Sequence, residues 1–239
     1  MIDRIEDTNE LMSYNKRDIF RYRIMSLMKA YGTKYDFALF YRQVIDGNIT
    51  AIISKLDGDF TLSYTDNADT DELEQFFTVI GFSSLLCDDG FSMENRYTQG
   101  AVMKTEKKVE LHKSYVTIDR YPKLMELFNL LDYDSADFEA WYVDISHRIR
   151  HGCAMAYSLN MDSQIISSAV LSSIYEDGAI LSAVQTLSDY RRMGYGGTLV
   201  SEIICDFPST VYLMRAEGAN EEFYSKLGFV NCGKWRLYK

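Results

Sequence analysis

The chain has 239 residues, 47% hydrophobic and 14% aromatic, with a formal net charge of −10. That is enough apolar material for one large domain or two small ones. Residues 1–113 and 114–239 each carry a net −5, which argues against nucleic acid as a partner. No apolar run approaches the ~18 residues of a membrane span, and the acidic start MIDRIEDTNE is unlike a signal peptide.

In chain order, Asp18 to Tyr31 shows helical spacing of apolar residues and stops at Gly32. Phe37 to Val44 and Ile49 to Leu56 read as strands joined by the turn Asp46-Gly47-Asn48. Phe60 to Thr65 follows the Asp57-Gly58 turn as a third strand, and Asp71 to Ile80 is a helix ended by Gly81. The charged stretch Lys104 to Lys113 is either an edge strand or the connector between halves.

Helical patterns resume at Lys123 to Leu131 and Asp137 to Ile149. Cys153 to Leu159, Gln164 to Tyr175 and Ala179 to Leu187 are strand-like, with turns at Asn160-Met161-Asp162 and Asp177-Gly178. A helix carrying Tyr195, Leu199, Val200, Ile203, Ile204 and Phe207 follows, halted by Pro208. Thr210 to Arg215 is a strand, Glu221 to Leu227 a short helix closed by Gly228, and the tail FVNCGKWRLYK has strand character.

The segment EQFFTVIGF (74–82) repeats in EEFYSKLGF (221–229). On that repeat the chain divides into two related α/β halves, 1–113 and 114–239. The first half contains no counterpart of the stretch YRRMGYGG, Tyr190 to Gly197.

That stretch lies between a strand and an amphipathic helix. The first turn of a helix leaves N–H groups without intrahelical partners, and the macrodipole makes that end partly positive, so it suits phosphate. Gly194, Gly196 and Gly197 let backbone approach a bulky anion, while Arg191 and Arg192 add charge-assisted hydrogen bonds. The dinucleotide pattern G-x-G-x-x-G fails at Leu199, and the P-loop pattern fails because no lysine separates Gly197 from Thr198.

The strand followed by SDYRRMGYGG resembles the signature of the GNAT acyltransferase superfamily, Arg/Gln-x-x-Gly-x-Gly/Ala, at Arg191, Gly194 and Gly196. The family's later FY-x-K-x-GF element is matched by Phe223, Tyr224, Lys226, Gly228 and Phe229. The resemblance covers Tyr115 to Lys239, and extends to residues 35–85 only through the repeat. It implies an α/β fold with a mixed, twisted sheet, here as two related GNAT-like halves, the N-terminal one degenerate and the second catalytic. It implies acetyl-CoA, or another acyl-CoA, as cosubstrate. The pyrophosphate would sit on Arg192, Met193, Gly194, Tyr195, Gly196 and Gly197, with Arg191 beside them, and the pantetheine along Val184, Gln185, Thr186 and Leu187.

The implied reaction is direct acyl transfer to a primary amine, of a small molecule or a peptide, with Tyr224 as general acid toward the departing thiolate. The alternative is a CoA-binding module without turnover. Two features depart from the family pattern or leave it incomplete. Glu217 stands where many members have Asn, with Asn220 free to cap the following helix, and no general base is legible near Glu176, Asp177 or Gln185. His147 and His151 have helical metal spacing, but Arg148 and Arg150 crowd them, so a helix-end cation role is expected and no metal. Trp141 and Tyr142 lie near the helix that covers the acceptor side in this family, although aromatic residues are more often core. The four cysteines share no close spacing and read as reduced thiols of a cytoplasmic chain.

Overall fold

A computed structural model describes residues 1–111, 116–130 and 137–239. The expected division between 113 and 114 and the last expected residue of the helix ending at Leu131 lie outside these residues.

From the N-terminus the elements are β1 (Ile2–Arg4), α1 (Ile19–Tyr31), β2 (Ala38–Ile45), β3 (Asn48–Leu56), β4 (Asp59–Tyr64), α2 (Thr70–Ile80), β5 (Ser84–Asp88) and β6 (Tyr97–Thr105). Then come β7 (Thr117–Asp119), α3 (Leu124–Leu130), α4 (Phe138–Arg150), β8 (Met155–Met161), β9 (Gln164–Tyr175), β10 (Gly178–Thr186), α5 (Tyr195–Asp206), β11 (Thr210–Ala216), α6 (Glu221–Lys226) and β12 (Phe229–Tyr238). Local chemistry sets many of these bounds. Asp18 caps α1 by accepting from the Arg21 N–H at 2.7 Å, and Gly32 ends it at φ 65°. The β2–β3 turn places Asp46 and Gly47 at φ 50° and 77°, the left-handed pair that a tight hairpin requires. The β8–β9 turn centres on Asp162 and Ser163 at φ 49° and 67°, so β8 continues through Asn160 and Met161, which were expected in the turn.

The chain forms two compact units. The first comprises Met1–Val102, Met214–Gly218 and Cys232–Lys239, and the second Met103–Leu213 and Ala219–Asn231.

In the first unit the strand order is β1-β2-β3-β4-β5-β12-β6. β4 and β5 are parallel, paired from Asp59/Ser84 to Thr61/Leu86, and α2 connects them. The core gathers Ile53, Phe60, Leu62, Leu73, Phe77 and Leu85.

In the second unit the order is β11-β10-β9-β8-β7. β10 and β11 are parallel, paired from Gly178/Thr210 to Leu181/Leu213, and α5 connects them. Neighbouring residues of β9 face opposite ways. Ala169 and Leu171 pack with Leu199, Val200 and Ile203 of α5, while Val170 packs with Leu127 of α3 and Ile145 of α4. Helices thus cover both faces, and each fully buried aliphatic contributes about 1.5–3 kcal/mol.

The topology corrects the expected repeat. By sequence, α2 aligns with α6. By connection, α2 crosses between parallel strands as α5 does. It is α6 that has no counterpart in the first unit: residues 89–96, between β5 and β6, contain no helix. Phe77, aligned with Tyr224 by sequence, is a fully buried core residue.

Candidate active site

The site begins where two strands part. The β10–β11 ladder ends at Leu181/Leu213, while β10 stays paired with β9 to Thr186. Between Ser182 and Gln185, two residues of β10 oppose the single Ala169 of β9. Ala183 takes φ 52° at this bulge. A bulge of this kind bends the strand and re-aims its groups, here those of Val184 and Gln185.

After Thr186 the chain makes a short 3-10 turn at Ser188–Tyr190 and enters α5. Arg192 has φ 63° and Gly194, the N-cap, φ 85°. Left-handed residues alternating with others turn successive N–H groups into one concavity. No side chain caps α5 and no acid stands in its first turn. Its opening bond is Thr198 N–H to the Gly194 carbonyl at 2.9 Å. The N–H groups before Thr198 have no i−4 carbonyl to bond within the helix.

Gly196 has a packing role as well. A Cβ there would lie 3.0 Å from Thr186 Oγ1, so glycine lets α5 sit close on β10. Thr186 is itself held: its hydroxyl is 2.9 Å from that of Ser167, and its carbonyl accepts from Arg191 Nε at 2.9 Å.

These elements enclose a cleft of about 580 Å³ within the second unit. Val184, Gln185 and Thr186 line it from β10, Arg191 and Arg192 from the loop, and Gly194, Tyr195, Gly196 and Gly197 from the start of α5. Tyr224 closes it from α6. Two expected residues do not line it: Leu187 packs against the core, and Met193 is 56% exposed.

Tyr224 is half-buried, its ring edge-on to Phe223 at 4.9 Å and to Phe229 at 5.7 Å. Burial pushes its phenol above the ordinary tyrosine value. Among the described residues its hydroxyl has no hydrogen-bond partner. The geometry therefore presents a protonated, oriented phenol to the cleft.

Three lining residues were not expected. Tyr190 stands edge-on to Tyr195 at 6.0 Å, and its place just before two arginines was the available signal. Phe223, named from the sequence only as part of the FY-x-K-x-GF element, lines the cleft and also approaches the Cβ positions of Gly196 and Gly197. Asn220 lines it too, but the expected cap is absent: its backbone is left-handed at φ 55° and its side chain makes no capping bond. Among the described residues, none that lines the cleft is His, Asp or Glu.

The other candidates lie elsewhere. Trp141 packs in the α3–α4 cluster, and Tyr142 is 44% exposed. His147 and His151 end α4 with rings 4.2 Å apart, the His151 Nδ1 being 2.9 Å from the His147 carbonyl. Among the described residues no group of three or more His, Cys, Asp or Glu is placed to hold a metal ion. Nor is any helix long and apolar enough to cross a membrane.

Structural comparison supplies the fold. Over 92% of this chain and 94% of the other, it matches a GCN5-related N-acetyltransferase from Kribbella flavida, with a TM-score of 0.62 and 14% identity. The chain has the GNAT fold. A tandem GNAT protein from the clavulanic acid biosynthesis pathway matches at TM-score 0.58 and 10% identity, covering 100% of this chain and 97% of that one. A GCN5-related N-acetyltransferase from Sphaerobacter thermophilus matches at TM-score 0.61 and 12% identity, over 90% and 84%. The GNAT-fold chain also matches the family model described as FR47-like protein, at residues 163–236. That segment contains the bulged β10, the arginine–glycine loop and α6. No curated protein matches the sequence.

Proposed function

We propose that the second unit is an N-acyltransferase that uses acetyl-CoA, or another acyl-CoA, to acylate a primary amine of a small molecule or peptide. One observation carries the reading: α5 opens onto the cleft with no side-chain cap, no acid in its first turn and two arginines before it. That is a phosphate site by charge and by hydrogen-bond geometry. The diphosphate would lie on the donors of residues 192–197, and the pantetheine along the unpaired edge of β10. A main-chain donor at the Val184 bulge would polarise the thioester carbonyl, an effect worth about 3–4 kcal/mol for one well-placed donor.

The amine nitrogen attacks the thioester carbon, a C–N bond forms and the C–S bond breaks. Tyr224 gives its proton to the leaving thiolate, and the proton lost from nitrogen restores the phenol through solvent. Among the described residues no carboxylate or imidazole lines the cleft, and an amine that arrives uncharged or gives its proton to water suits that lining. The same observation favours a second reading, a module that binds CoA without turnover. Among the described residues none of the four cysteines is in a disulfide, which suits a cytoplasmic location.

Calorimetric and thermal titration of the full chain with CoA is the test, followed by thiol release from acetyl-CoA with spermidine, kanamycin and a peptide. We expect one CoA per chain, stabilisation of about 2.7 kcal/mol at 100 times the dissociation constant, and thiol release that depends on the amine. Binding without release selects the second reading. The absence of stabilisation overturns both.

A further inference from the structure

Residues 106–111 have no helix or strand, yet they are fastened along their whole length. The Glu106 N–H donates to the Gly228 carbonyl at 3.0 Å. A Cβ on Gly228 would meet the Lys107 carbonyl oxygen at 2.2 Å, so the turn after α6 is built around this segment. Lys108 Nζ donates to the Cys205 and Phe207 carbonyls at 3.2 and 2.6 Å, satisfying acceptors at the negative end of α5. Ser201, 1% exposed, donates through Oγ to the Val109 carbonyl at 2.6 Å and accepts from the Leu111 N–H at 2.7 Å. Leu111 Cδ1 lies 3.6 Å from the Cβ position of Gly197.

The three points of attachment on α5, near residues 205, 201 and 197, are four residues apart. They form one stripe along the helix, and the stripe ends at Gly197, a wall of the cleft. Leu227 and Phe223 of the α6 region approach that same glycine at 3.8 and 3.9 Å. The segment thus fastens α5 and the turn that ends α6, and does so outside the cleft itself.

We infer that residues 106–111 are a strap that positions α5 against α6, and that Ser201 is the positioning residue which transmits this to the ligand donors at Gly194–Gly197. The inference rests on the acyl-CoA reading of the cleft. Ser201 touches no ligand in this assignment; it acts through Leu111 and Gly197. Its hydroxyl is the only link in the middle of the strap among the described residues, and it bonds the strap twice.

The experiment is calorimetric titration of the full chain with CoA, well below the melting temperature, for the native protein and three variants. Ser201→Ala removes both bonds and should raise the CoA dissociation constant about fivefold or more. Lys108→Ala alters only an exposed end and should raise it by about threefold or less. Ser201→Thr keeps the hydroxyl and should restore affinity. Loss of packing alone would lower the melting temperature without this pattern in affinity. If native protein binds CoA and both alanine variants bind it equally well, the strap has no positioning role. Failure of the native protein to bind CoA would instead refute the acyl-CoA reading.

Discussion

α2 and α5 occupy the same place in their units, each crossing between two parallel strands, and they begin in opposite ways. α5 starts at Gly194 with no side-chain cap. α2 starts at Asp69, whose carboxylate accepts from the Glu72 N–H at 3.0 Å, with Asp71 and Glu72 in the first turn. Buried Gln43 completes that end: its amide donates to the Asp69 carbonyl and to Glu72 Oε2, and its Oε1 accepts from the Asp69 N–H. One helix start has no side-chain cap and no acid in its first turn. The other gives the Glu72 N–H to the Asp69 carboxylate and the Asp69 N–H to the Gln43 amide oxygen, and carries two acids in its first turn.

The strand forks differ in the same sense. β4 and β5 part beyond Thr61/Leu86, as β10 and β11 part beyond Leu181/Leu213. In the first unit, Lys16 spans the gap. Its ammonium donates to the Tyr64 carbonyl at 2.6 Å, lies 3.3 Å from Asp88 and pairs with Asp18 at 3.1 Å. The Tyr64 hydroxyl adds a bond to Asp88 at 2.7 Å. A cleft in one unit is a filled, hydrogen-bonded seam in the other. The lesson is that a repeated topology does not repeat a site: the helix start and the fork must both be left unfilled.

The comparison can be broken at its strongest point through α6, which only the second unit has. Tyr224→Phe should cut kcat by about 10²–10⁴-fold, the usual range for a positioned acid, with CoA affinity unchanged. An unaltered kcat removes Tyr224 from the mechanism. Because burial raises the phenol above its ordinary value of 10.0, the acid form persists through the normal tyrosine range. Native activity should fall only above that range, and a pH–rate profile should show no such limb in the phenylalanine variant.

Arg192→Glu makes the start of α5 resemble that of α2 by placing a carboxylate beside the donors. Arg192 is exposed, so the fold should tolerate it. Loss of charged hydrogen bonds at 1.5–3 kcal/mol should weaken CoA binding by roughly 10–100-fold. Equal affinity by calorimetry would show that the phosphates lie elsewhere.

The smallest effect tests the first unit. Asp69→Ala removes an exposed cap and should cost about 1 kcal/mol, or about 2–4 °C in melting temperature for a chain of this size. CoA stoichiometry should stay at one. A second equivalent bound would show that the cap alone had been excluding a ligand.

Much of the site was legible in sequence because its chemistry is local. A loop of arginines and glycines between a strand and an apolar helix places the donors whatever else the chain does. The residues missed were those whose exposure depends on distant packing. Phe223 carries an ordinary core signal, and only the approach of α6 to Gly196 and Gly197 puts its ring at the cleft wall. Asn220 has a capping residue's identity but sits in a left-handed turn that aims it away from that role.

The strands missed, β1, β5, β7 and much of β6, have a similar explanation. β5 is too short, at 5 residues, to show a period. β6 contains Gly100, which weakens a strand pattern, yet a Cβ there would lie 2.1 Å from the Arg215 carbonyl oxygen and 2.8 Å from Trp235. Of the two expectations for the charged stretch Lys104 to Lys113, residues 104 and 105 finish a strand, β6, while 106–111 have neither helix nor strand and lie inside the second unit rather than between the two.

By itself the sequence determined the helices, most of the hairpins and the arginine–glycine loop at Arg191–Gly197 before an apolar helix, because periodicity, turn residues and charge act over a few neighbours. Tertiary structure alone decided that α2 corresponds to α5, that one strand fork is open and the other bridged by Lys16, and which aromatic rings meet the cleft. Those outcomes depend on which strands pair and where their ladders stop, and strand pairing joins residues far apart in the chain, beyond the reach of any local pattern.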